Sequence, residues 1–202
     1  MTHPDRSLLG PIQRGLERLY RLERAPDVAD FVFATPKRHP REELLVRPAG
    51  DGLEIRLVLD AALLAGARGL EDTLLLVEGV SHYLCVVFRA RQGRPVTAME
   101  LELQAEVDKF VACLALWRGR RRGRPPAGVV RRALSRFAVS PHLRGELRAR
   151  YDTSATMARR YADSLDSRFV RSGRTREMGD ELRRFYRMGL AEKRAHIERR
   201  AA

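Results

Sequence analysis

The chain contains no asparagine, and only three of its 39 basic residues are lysine: Lys37, Lys109 and Lys193. Isoleucine occurs three times and tryptophan once. Arginine therefore carries almost all the positive charge, a bias that reads first as a GC-rich coding sequence and only second as function. Cysteine is scarce: Cys85 and Cys113 cannot build a disulfide framework, which fits a reducing cytoplasm. The opening Met1-Thr-His-Pro-Asp-Arg6 has no apolar core, so secretion is not expected. No run of about 18 uncharged apolar residues occurs, which argues against a membrane-spanning helix. What is present is enough for a packed domain: 202 residues, 44% hydrophobic, 32% charged.

The formal net charge is +13, and it is unevenly spread. Residues 1–47 carry nine basic and seven acidic side chains, and residues 48–116 carry six and ten. Residues 117–202 carry 24 basic and nine acidic, so the whole excess lies in the last 86 residues. Such asymmetry points to an anionic partner for the C-terminal part, either nucleic acid or an acidic protein.

Periodicity predicts a mainly α fold, a compact multi-helix domain with one β-hairpin at about 43–59 packed on the helices. Ile12, Leu16 and Leu19 recur at helical spacing over residues 11–24. Asp27 is placed to cap a short helix from Val28 to Phe33. Leu53, Ile55, Leu57 and Leu59 then alternate as in a half-buried strand, and Ala49-Gly50-Asp51-Gly52 supplies the turn. Closing that turn pairs Val46 with Ile55, Leu44 with Leu57, and Arg47 with Glu54. Beyond it, Asp60 caps Ala61–Ala67, and a long helix runs from Leu70 to Arg91. Thr97-Ala-Met-Glu100 has the form of a capping box, and its helix runs to about Trp117. Three more helices are expected near 128–138, 141–171 (with a break near Asp152-Thr153) and 175–188. The chain is thus read as residues 1–117, a basic connector 118–126, and an Arg-rich helical part 127–202 packed on the first.

The helix 70–91 is apolar on most sides, and its polar residues Glu71, Glu78, His82, Cys85 and Arg89 form one line. The next helix has a matching line of Glu102, Glu106, Lys109 and Cys113. An antiparallel pairing would set Glu78 near Lys109, His82 near Glu106 and Arg89 near Glu102 or Glu100. Glu78, His82 and Glu106 could then present an imidazole and carboxylates to a metal. With each charge already opposite a partner, a structural network is the favoured reading, with no metal and no cofactor.

The most basic stretch is Arg118-Gly-Arg-Arg-Arg-Gly-Arg-Pro-Pro126. Its Arg122-Gly123-Arg124-Pro125 resembles the core of an AT-hook, which lays arginines into a narrow minor groove. Arg118, Arg120, Arg121, Arg122, Arg124, Arg131 and Arg132 are the candidate nucleic-acid contacts. Further on, arginines alternate with aromatics: Arg159-Arg160-Tyr161, Arg168-Phe169, Arg183-Arg184-Phe185-Tyr186. The spacing of four and three places those aromatics in a core and leaves the arginines as solvent-facing ridges. Arg136-Phe-Ala-Val-Ser-Pro-His142 has the Arg-x5-His outline of the HEPN ribonucleases, which implies an RNA-cleaving site. Pro141 directly before His142 departs from that pattern. The reading that results is a non-catalytic, cytoplasmic, nucleic-acid-associated subunit of a larger complex, acting through its Arg-rich C-terminal face. An adaptor for an acidic protein is the alternative, and a helical metalloprotein or ribonuclease the second.

Overall fold

A computed structural model describes residues 8–36, 40–50, 52–66, 69–120, 128 and 145–201. Among them are seven α-helices and one three-stranded sheet, so the fold is mainly α with a small sheet. The chain divides into two compact units, residues 1–95 and 96–202.

In the first unit, α1 (Leu9–Tyr20) ends four residues before the predicted end, at Arg21, whose backbone is left-handed with φ 51°. Leu16 is buried as expected, with Leu9 and Tyr20, but the buried face also holds two polar residues, Gln13 and Glu17. Their side chains serve the extended segment that follows. Gln13 Oε1 accepts from the Val28 amide at 2.9 Å, its Nε2 donates to Pro26 O at 3.0 Å, and Glu17 Oε1 accepts from the Ala25 amide at 3.0 Å. A segment without a ladder has its backbone groups satisfied by side chains instead.

Asp27 does cap the next turn, accepting from the Ala29 amide at 3.0 Å. That turn is a short 3-10 segment, Val28–Phe31, and not a helix to Phe33. Val32–Thr35 leaves it as strand β1, which sequence reading missed. Val-Phe-Ala-Thr suits a strand, and the nine-residue β3 offers it an open edge. β2 (Glu42–Ala49) and β3 (Gly52–Asp60) form the predicted hairpin, with Val46↔Ile55, Leu44↔Leu57 and Arg47↔Glu54 in register. Gly50 turns the chain with φ 58°. β1 adds to β3 in parallel, which gives the order β1-β3-β2.

Asp60 caps α2 (Ala61–Leu64) through the Ala62 amide at 3.0 Å, and this helix stops three residues short of the predicted end. Arg41 ties the sheet to the next helix, bonding Asp60 at 3.4 Å and Asp72 at 2.9 Å. α3 (Leu70–Ala90) then crosses the sheet at Gly79. A Cβ there would sit 3.0 Å from Leu57 Cδ1 and 3.2 Å from Glu42 Cγ, so glycine sets how closely helix and sheet approach. α3 has the length and mean hydropathy (1.4) of a membrane-crossing helix, but 67% of that stretch is buried within the protein, as a core helix also would be.

In the second unit, Thr97 Oγ1 accepts from the Glu100 amide at 3.2 Å at the start of α4 (Ala98–Arg120). Leu103, Val107, Phe110 and Leu114 form its buried stripe. α4 packs along α5 (Gly145–Leu165), which continues through Asp152-Thr153 unbroken, braced there by an Arg148–Asp152 ion pair of 3.2 Å. A widened π-helical turn, Asp166–Val170, extends α5. α6 (Thr175–Arg187) follows, and then α7 (Leu190–Ala201), a helix the sequence reading did not foresee. The helix expected near 128–138 and the Pro141 helix start lie outside the described residues.

Candidate nucleic-acid interface

The second unit carries 25 basic and 13 acidic side chains, and the first 14 and 13. Among its described residues arginines are exposed while most aromatics lie inside. Tyr161, Phe169, Phe185 and Tyr186 are all buried, with Tyr161 stacked on Phe185 at 4.0 Å between ring centroids. These rings are packing residues, as their spacing implied, and present no stacking platform for bases.

The interior also holds charge. Glu181 of α6 is buried, and both its oxygens are used twice. Oε1 accepts from Tyr161 OH at 3.3 Å and from His196 Nε2 at 2.6 Å. Oε2 accepts from Arg200 at 3.0 Å and from Arg184. A carboxylate can only accept, so His196 carries its proton on Nε2. Burial, and then the Glu181 charge, push the Tyr161 phenol far above its ordinary value, so it remains a donor. Beside this hub Lys193 is fully buried, donating to Gln104 Oε1 at 2.9 Å, and Gln104 Nε2 donates to Asp108 at 3.1 Å. Lys193 Nζ also lies 5.2 Å from the centre of the Phe185 ring. This network pins α7 to α4, α5 and α6. None of Tyr161, Glu181 or His196 lines the groove of about 360 Å³ bordered by Asp152, Thr156, Arg160, Arg194 and Glu198. The groove itself is lined by both signs of charge.

The arginines converge elsewhere, at the corner between α5 and α6. Arg168 and Arg174 lie over the Phe169 ring, 5.2 and 5.6 Å from its centre. Arg174 donates to Ser172 Oγ at 3.0 Å and to the Arg168 carbonyl. Gly173, with φ 73°, makes the reversal possible, and the Arg174 amide closes it on Phe169 O at 2.9 Å. Arg171 pairs with Asp166 at 3.3 Å. From the end of α4, Arg118 reaches Thr175 Oγ1 at 3.4 Å, between Arg174 and Arg176 in the chain. Four exposed arginines thus meet at one corner, with exposed Arg176 next to it in the chain, and Asp166 pairs with Arg171. Among the described residues, no carboxylate lies within ion-pair distance of Arg168, Arg174 or Arg176. Arg159, Arg160, Arg194 and Arg199, also exposed, lack one too.

No protein-family model, curated protein or solved structure matches the chain.

Of the predicted contacts, Arg118 belongs to this corner. Arg120 ends α4, and Arg121, Arg122, Arg124, Arg131 and Arg132 lie outside the described residues, as do the AT-hook-like segment and the Arg136…His142 pair. Arg168, Arg171, Arg174 and Arg176 were missed as contacts. The one available signal was their spacing around Ser172-Gly173, which reads as a helix stop and not as a site. Glu78 and His82 stand one turn apart on α3 with ligand atoms within 4.8 Å, and Glu106 pairs with Lys109 on its own helix at 2.5 Å. His82 Nδ1 faces Glu42 Oε1 of β2 at 3.2 Å, a partner that helix spacing alone does not show. Cys113 is buried, and burial pushes its thiol up to about 11, so it is no ready thiolate ligand at neutral pH.

Proposed function

We propose that the protein is a non-catalytic nucleic-acid-binding subunit whose C-terminal unit grips the phosphate backbone at the arginine corner of α4, α5 and α6. The observation that carries this reading is the convergence of Arg118, Arg168, Arg171 and Arg174, with Arg176 next in the chain to Thr175, where Asp166 is the one carboxylate paired with them among the described residues. Guanidinium forks suit phosphate oxygens, and contact with Phe169 holds two of them in place before binding. With Tyr161, Phe169, Phe185 and Tyr186 buried, the contacts would be to backbone more than to bases, so binding should be strong in charge and weak in sequence preference.

The test is fluorescence anisotropy with duplex DNA and single-stranded RNA between about 50 and 200 mM salt. Counterion release gives a slope of about −0.9 per phosphate, so five contacts predict a slope near −4.5 on DNA. Replacing Arg168, Arg174 and Arg176 together with alanine should weaken binding to all sequences and reduce the slope by about 3. A preference for AT-rich duplex that disappears in Arg124→Ala would extend the contact into the minor groove. If neither ligand binds below about 10 μM at the low-salt end, the reading fails and an acidic protein becomes the better partner.

A further inference from the structure

Among the described residues, β2 is an outer strand of the sheet. Ala49↔Gly52 closes a two-residue connection, so Glu43, Leu45 and Arg47 direct their backbone groups to β3, while Glu42, Leu44, Val46 and Pro48 direct theirs outward. Pro48 has no amide hydrogen to offer and occupies an outward position, as proline in an edge strand does. The hairpin is covered at one end only. On the face that meets α3, Leu57 and Leu59 are fully buried, but toward the tip Val46 is 39% and Leu53 43% exposed. On the opposite face Leu45 is 40% exposed. Exposed apolar side chains beside open strand hydrogen bonds are a template for another strand.

We propose that β2 pairs antiparallel with β2 of a second copy of this chain, about a two-fold axis at Leu45. Charge selects the occupant and the register. Centring on Leu45 sets Glu43 of each copy opposite Arg47 of the other, two complementary pairs from one operation. The Arg47–Glu54 and Glu54–Arg56 pairs (3.1 and 2.6 Å) then extend as one alternating row across the joint. Centring on Leu44 instead sets Arg47 against Arg41, and centring on Val46 leaves Glu43 opposite Ala49. In the Leu45 register Val46 lies opposite Leu44 of the other copy. The antiparallel direction also brings the uncovered tip of each hairpin beside the half of the other sheet that α3 covers. Two three-stranded sheets become one of six. The inference rests on the first unit alone and is independent of any nucleic-acid contact.

Sedimentation velocity on the full chain without nucleic acid, from about 1 to 100 μM, should show the mass rise from 23.0 kDa to twice that. Leu45→Lys places two ammonium groups on the axis and should keep the chain monomeric throughout that range. Leu45→Cys tests the register directly. Residue 45 would face its own copy in a non-hydrogen-bonded pair with Cα atoms about 4.5 Å apart, within disulfide reach. Oxidation should therefore yield a crosslinked dimer, whereas Leu53→Cys, off the axis, should not. Cys85 and Cys113 are buried and give no background. A wild-type chain that stays monomeric at about 100 μM overturns the proposal. So does a dimer that survives Leu45→Lys, or one in which Leu45→Cys fails to crosslink.

Discussion

Glu181 shows how a single side chain can organise a helical unit. Two guanidinium groups, an imidazole and a phenol donate to it, and none of those donors lies on the same turn of the chain as another. Removing the carboxylate leaves Arg200 and His196 facing an empty acceptor site. Glu181→Ala should therefore cost about 3–5 kcal/mol, the range for breaking a buried ion pair, read as a lower midpoint in urea. Glu181→Gln, which keeps the shape and one acceptor, should cost less. His82 is the matching case in the first unit. Its Nδ1 donates to Glu42, which ties α3 to β2, so His82→Gln should lower the melting temperature. Adding zinc or a chelator should shift that temperature in neither protein, and elemental analysis of chain purified without chelator checks the same point. Stoichiometric metal would make Glu78 and His82 ligands rather than braces.

At the level of elements, the helix–sheet joint depends on Gly79. Alanine there would gain helix propensity of about 1 kcal/mol but press Cβ against Leu57 and Glu42. Valine adds bulk without that gain. Gly79→Val should destabilise by about 1–3 kcal/mol, measured by denaturation, and Gly79→Ala should fall nearer neutral. The hairpin was legible in the sequence down to its register, because the alternation of Leu53, Ile55, Leu57 and Leu59 and the turn at Gly50 each constrain the other. β1 was not legible: Val32–Thr35 is too short to show a period, and its pairing with β3 is a long-range choice. Gln13 and Glu17 escaped notice for a related reason, since their burial is set by backbone donors and acceptors at residues 25–28. α7 lacks a clear apolar stripe, and its Lys193 and His196 look like surface residues until their partners on α4 and α6 are known. The arginine corner was half legible. The excess of charge in the C-terminal part showed in the counts, but its focus needed the fold of the Ser172-Gly173 reversal.

On the scale of the whole molecule, the two units divide the labour of charge. The first is nearly balanced and is built around a sheet; the second carries almost the entire excess and encloses the Glu181 network. Only three lysines occur in the chain, and Lys193 is sealed against Gln104 while Lys109 is held by Glu106. Brief treatment of the folded protein with acetic anhydride, followed by peptide mass mapping, should leave Lys193 unmodified, and unfolding in urea should expose it. Modification of Lys193 in the folded chain would show that α7 opens. The burial of Lys193 has a wider consequence. Acylation is the common way to erase positive charge after translation, and it acts on amines. Among the described residues the two lysines are buried or paired and the exposed cations are guanidinium, so acylation finds little of that surface to act on. Lysine acylation therefore leaves its guanidinium charge in place, and offsetting that charge would need other chemistry, such as phosphate added beside it.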